Sequence, residues 1–105
     1  MSELPHRKAF EQFAEQAQKE LGDSLDKLFL YGSVACDQQT EQSDVDILAV
    51  VEVTDQKEKL RDIAFEIGIQ YGISFSPIVK TEKEYEEMKN TVYGREVRST
   101  GELYV

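Results

Sequence analysis

The stretch "FLYGSVACDQQTEQSDVDILAVV", residues 29–51, sets a Gly-Ser pair between two apolar runs and opens the second run with Asp44 and Asp46. A strand formed only for burial gains nothing from two carboxylates, because an unpaired buried charge is costly. In extended backbone, residues two apart share a side, with alpha carbons roughly 6.5 to 7 Å apart. Asp44 and Asp46 therefore converge from one face, while Val45, Ile47 and Ala49 point into packing. Two carboxylates so placed suit Mg²⁺, which takes oxygen ligands from one or two carboxylates, waters and substrate phosphates.

Twelve residues upstream of Asp44, Gly32 ends the first apolar run, and Ser33 to Cys36 reads as the opening of a short helix. Free backbone N–H groups at such a turn bind phosphate. Glycine allows a phosphate to approach the backbone, and the Ser33 hydroxyl adds a donor. Taken singly, each half has a plainer reading: Gly-Ser as a turn with a helix cap, Asp-x-Asp as a solvated strand edge. Together, in this order and spacing, they form the equipment of phosphoryl or nucleotidyl transfer.

Outward from this stretch, apolar spacing predicts a helix over residues 4–21, with Phe10, Phe13, Ala14, Ala17 and Leu21 on one face. Residues 25–31 read as a buried strand, 37–43 as an exposed polar loop and 44–53 as the strongest strand. A second helix spans 55–71 on Leu60, Ile63, Ala64, Ile67 and Tyr71, and Gly72 ends it. A third strand covers 73–79, where Pro77 predicts an edge position or a bulge. Thr81 to Glu84 has the form of a capping box opening a last helix to about Asn90. The tail "VYGREVRSTGELYV" reads as a turn and one further strand. The expected fold class is α/β (α+β), a small mixed sheet packed with helices, as one domain over residues 1–105. At least one strand pair is joined by a helical crossover.

With 40% hydrophobic and 31% charged residues, the composition is globular. The start lacks an apolar signal-peptide core, and no apolar run is long enough to span a bilayer, so a cytoplasmic location is expected. The single cysteine, Cys36, excludes an internal disulfide and reads as a small buried filler. A net charge of −9 opposes direct nucleic-acid and membrane binding and favours a basic protein partner, though it equally suits a salty cytoplasm. Arg61, Lys80, Lys83, Arg95 and Arg98 read as solvated surface, Tyr71, Tyr85, Tyr93 and Tyr104 as core or interface, and His6 as exposed.

The segment from Leu30 to Val51 resembles the signature of polymerase-beta-like nucleotidyltransferases: Gly-Ser, ten residues, then Asp-x-Asp in an apolar strand. The whole chain resembles their minimal nucleotidyltransferase (MNT) group, in which a helix precedes the signature strand and a helix and third strand follow. The resemblance implies that Gly32 and Ser33 hold the triphosphate of ATP and that Asp44 and Asp46 bind Mg²⁺ as catalytic carboxylates. It also implies a third carboxylate on the next core strand. Here that strand is "ISFSPIV", with Ser76, or else Ser74, at the expected position. Serine is a poor metal ligand and no general base at neutral pH. Glu66 and Glu82 are weaker candidates to lend a carboxylate.

The resemblance further implies an antitoxin of a HEPN-family RNase toxin, acting by transfer of AMP from ATP to a toxin tyrosine. An acidic surface suits the basic face expected of a ribonuclease partner. The missing third acid favours an alternative, neutralisation of the partner by binding alone. A third reading is a small-molecule nucleotidyltransferase, which needs an added helical domain or a dimer to enclose its acceptor.

Overall fold

The first helix, α1 (His6–Leu21), begins directly after Pro5 and buries Ala9, Phe10, Phe13, Ala14 and Ala17 along one stripe. Phe10 and Phe13 have no exposed surface, and burying each contributes about 1.5 to 3 kcal/mol. The computed structural model describes residues 4–36 and 38–104. Residues 1–3, Val105 and Asp37, which opens the expected 37–43 loop, lie outside the described residues.

The remaining elements are β1 (Leu25–Tyr31), α2 (Gly32–Ala35), β2 (Val45–Val51), α3 (Asp55–Tyr71), β3 (Phe75–Thr81), α4 (Glu82–Met88), α5 (Val92–Thr100) and β4 (Glu102–Leu103). The sheet order is β3-β2-β1-β4. β1 runs antiparallel to both β2 and β4, and β3 runs parallel to β2. The β2–α3–β3 connection is the expected helical crossover, and the mixed sheet matches the expected class. Pro77 lies in the edge strand β3, where a missing N–H need not break the ladder.

Alternation along β2 divides the core. Val45, Ile47, Ala49 and Val51 face α1 and α3, packing with Leu60, Ile63, Ala64 and Ile67. Leu48 and Val50 face the other side, where Phe29, Tyr85 and Val97 cover them. β2 is thus covered on both faces, which is why it reads as an almost unbroken apolar run. Asp46 shares the side of Leu48 and Val50, so the side assigned to Val45, Ile47 and Ala49 from sequence is the one observed.

Two local predictions need correction. α4 carries the capping box, with Thr81 Oγ1 accepting from the Glu84 N–H at 3.4 Å and Glu84 Oε1 accepting from the Thr81 N–H at 2.9 Å. It is not the last helix, however. The tail forms α5, capped by Thr91, whose Oγ1 accepts from the Gly94 N–H at 3.1 Å. Only Gly94 and Val97 of α5 are buried, too few for an apolar period to register. Gly94 itself disfavours a helix by its propensity, yet a Cβ there would lie 2.8 Å from the Lys89 Cα. The glycine lets α5 fold tightly back on the end of α4. Cys36 is exposed rather than buried, because it follows a four-residue helix whose one buried side chain is Val34.

Candidate active site

Asp46 stands at the centre of a row across the sheet, with Tyr31 of β1 opposite it on one side and Ser76 of β3 on the other. Asp44, exposed, comes just before β2. The Ser76 Oγ donates to Asp44 Oδ2 at 3.2 Å. The structure thus brings Ser76 to both aspartates. Ser74 contributes its backbone, accepting from the Val45 N–H at 2.9 Å, while lining a separate hollow between α3 and β3.

Gly32 follows β1 with φ +76°, a left-handed conformation that favours glycine. A Cβ at this position would collide with the Asp46 carboxylate and lie 3.2 Å from its Cγ. The Gly-Ser turn and the aspartates therefore meet directly, the backbone of one packed against the carboxylate of the other. Burial raises the pKa of Asp46, and the charge of Asp44 raises it further. A carboxylate whose ionisation is opposed by a neighbouring carboxylate forms with it a donor set that a divalent cation would relieve. Among the described residues, no cluster of three or more His, Cys, Asp or Glu side chains is available to hold a metal. A cation here would complete its shell with waters or substrate phosphates.

Beside this row opens a cavity of about 440 Å³, lined by Tyr31, Gly32, Ser33, Cys36 and Tyr93 among others. The Tyr93 hydroxyl donates to the Tyr31 hydroxyl at 2.6 Å. Burial is the main cause that pushes both phenols above their usual range, and the negative charge of Asp46 adds to it in each. A larger hollow of about 570 Å³ between α3 and β3 contains no carboxylate in its lining. The smaller one is bordered by the Gly32-Ser33 turn, with Glu96 as the carboxylate in its lining.

The alternative carboxylates do not reach. Glu82 follows the far end of β3, six residues from Ser76, which is about 20 Å along a strand. Glu66 is exposed on α3, whose packing is with the opposite face of the sheet from Asp46. Arg61, Lys80, Lys83, Arg95 and Arg98 do not line the smaller cavity.

Sequence reasoning missed three neighbours of the site. Arg7 donates from Nη2 to the Val34 carbonyl at 3.1 Å, holding the end of α2, and pairs through both terminal nitrogens with Glu102. Tyr31 could have been found, since it precedes Gly32 and faces Asp46 once the hairpin register is drawn. His6, expected to be exposed, is 1% exposed. Its first-turn position packs beneath the loop ending at Ser43, and no periodicity in α1 reveals that loop.

The nucleotidyltransferase domain family matches residues 10–98. The chain belongs to that family. The resemblance read from Gly32-Ser33 and Asp44-x-Asp46 is thereby borne out. Three proteins of Methanocaldococcus jannaschii carrying the name "Putative protein adenylyltransferase" are similar in sequence. One is 39% identical over 73% of this chain and 83% of its own length. A second is 28% identical over 95% of this chain and 98% of its own. The third is 33% identical over 75% of this chain, which spans 57% of that relative's length. Among solved structures, a toxin–antitoxin crystallised with AMP-PNP superposes with a TM-score of 0.65 at 17% identity, over 89% of this chain and 70% of that one. A complex of tri-AMPylated Shewanella oneidensis HEPN toxin with MNT antitoxin gives 0.59 at 13% identity, over 93% and 70%. These superpositions show the shared nucleotidyltransferase fold.

Proposed function

We propose that this protein transfers AMP from ATP to a tyrosine of a partner protein, and that the partner is a HEPN-type toxin which it thereby neutralises. The observation that carries this reading is the contact of Gly32 with the Asp46 carboxylate, in a row that also holds Ser76, whose hydroxyl bonds Asp44. Support comes from the adenylyltransferase names of the relatives and from the toxin–antitoxin complexes that share the fold. Gly32 and Ser33 would hold the triphosphate, and Asp44 and Asp46 would hold Mg²⁺. When bound, Mg²⁺ supplies neutralisation of charge on the triphosphate and on the departing pyrophosphate. The acceptor oxygen bonds to the α-phosphorus as its proton passes to solvent, the bond from that phosphorus to the bridging oxygen breaks, and pyrophosphate leaves.

Ser76 favours a second reading, neutralisation by binding alone. Serine takes no proton from an attacking phenol at neutral pH, and a general base contributes about two to four orders of magnitude in rate. Transfer by the natural sequence is therefore expected to be slow. Labelled ATP, Mg²⁺ and the purified partner would separate the readings. Ser76→Asp should raise labelling at least about tenfold, or ~1.4 kcal/mol in barrier. Rapid labelling by the natural protein would place the base elsewhere or in the partner. No labelling by either, with the partner still silenced, would leave binding as the mechanism.

A further inference from the structure

His6 is the first residue of α1 and is almost fully buried, 1% exposed. Its Nε2 lies 2.9 Å from the backbone carbonyl oxygen of Ser43, 37 residues along the chain and one residue before Asp44. A carbonyl only accepts, so Nε2 carries the proton and donates. Nδ1 is buried without a hydrogen-bond partner among the described residues. An apolar side chain would fill this space without stranding a polar atom. What the imidazole provides in return is a fixed point under the loop that delivers Asp44.

One bond reaches that carboxylate, and two hold the backbone on either side of it. His6 holds the carbonyl before it, the Ser74 carbonyl holds the Val45 N–H after it at 2.9 Å, and Ser76 holds its Oδ2 at 3.2 Å. The last two come from the approach to β3 and from β3 itself. His6 supplies a bond from α1. Ser43 is otherwise tied within its own turn, its N–H donating to the Thr40 carbonyl and its Oγ accepting from the Thr40 N–H. Those bonds shape the turn without setting its height above the sheet.

We infer that His6 is a positioning residue for Asp44, fixing through Ser43 where that carboxylate stands when a divalent cation and triphosphate bind. The inference rests on the metal-binding role proposed for Asp44. It predicts that His6 matters for metal affinity beyond its share in stability, because preorganised ligands lose less freedom on binding.

The test is the Mg²⁺ concentration at half-maximal effect on the ATP-dependent melting temperature of the full chain. His6→Leu should raise that concentration about tenfold, or ~1.4 kcal/mol. His6→Gln, whose side-chain amide can reach the same carbonyl, should stay within about twofold, or ~0.4 kcal/mol. Leu21→Val, which loosens the far end of α1 fifteen residues from His6, should lower the melting temperature and leave the Mg²⁺ requirement unchanged. A His6→Leu protein with the natural Mg²⁺ requirement would overturn the inference. So would a Leu21→Val protein whose requirement rises as much. If His6→Leu does not fold, His6→Asn, too short to reach Ser43, must show the same rise. A natural protein that melts identically with and without ATP and Mg²⁺ would overturn the proposed function itself, and this inference with it.

Discussion

Adding one methyl group at Gly32 separates two costs that usually arrive together. The backbone there has φ +76°, and Gly72 at the end of α3 has φ +67°. Each would charge an alanine about 1 to 2 kcal/mol for the left-handed conformation. Space around the new Cβ differs sharply. At Gly72 nothing lies within 4 Å, whereas at Gly32 the Cβ runs into the Asp46 carboxylate. Asp46 must then move, in a position packed between β1 and β3, at a further cost of about 1 to 3 kcal/mol. Gly72→Ala should thus cost about 1 to 2 kcal/mol and Gly32→Ala about 2 to 5 kcal/mol. Entropy lost by the unfolded chain is common to both and cancels. Urea unfolding followed by circular dichroism gives the two stabilities, and ATP with Mg²⁺ should raise the melting temperature of Gly72→Ala but not of Gly32→Ala. Shortening the obstructing side chain with Asp46→Ala should recover part of the Gly32→Ala loss, as expected of residues in contact. Equal losses at the two glycines, or a Gly32→Ala protein that still responds to ATP, would refute the contact as the basis of the site.

Asp46→Asn should raise the melting temperature of the nucleotide-free protein at pH 7 while abolishing its response to ATP and Mg²⁺. A carboxyl whose folded pKa is raised, here by burial first and Asp44 second, destabilises the fold above that pKa and ceases to do so below its unfolded value. The gain over the natural protein should accordingly shrink as pH falls. Glu84 behaves oppositely. Hydrogen bonds from Lys57 and from the Thr81 backbone hold its carboxyl at about 2, from 4.5, so its stabilising share is present above pH 4.5 and lost as pH falls toward 2. Melting curves of the natural protein and Glu84→Gln should therefore differ at about pH 6 and converge only as pH falls below about 2.

Elements that bury several apolar side chains were legible. β1 and α3 begin and end where the sequence placed them, because residues 25–31 and 55–71 carry enough buried side chains to reveal their periods. The side of β2 that bears Asp46 followed from alternation alone. The alternation could not supply cross-strand register, so Tyr31 went unremarked although it faces Asp46. α5 was lost for a different reason: its burial is carried by a glycine and one valine, and a glycine chosen for close approach looks like a turn. His6 and Cys36 were each read by residue type, and tertiary surroundings reversed both readings. Preference for the surface is a weak guide where a loop from another part of the chain comes to rest.

Arg7 and Glu102 are 95 residues apart, yet their paired hydrogen bonds close over the end of α2, where Arg7 also holds the Val34 carbonyl. Glu102 belongs to β4, which pairs with β1 and so borders the strand that leads into Gly32. During synthesis, β1, α2 and β2 leave the ribosome long before residue 102 exists. The Gly-Ser turn must wait without its brace until nearly the whole of this sequence has been made. Contacts of such long separation form late and set the pace of folding. A ribosome-bound chain halted before Glu102 should hold its Gly-Ser turn loosely and acquire ATP affinity only on extension through β4, which ties competence for nucleotide to the synthesis of β4.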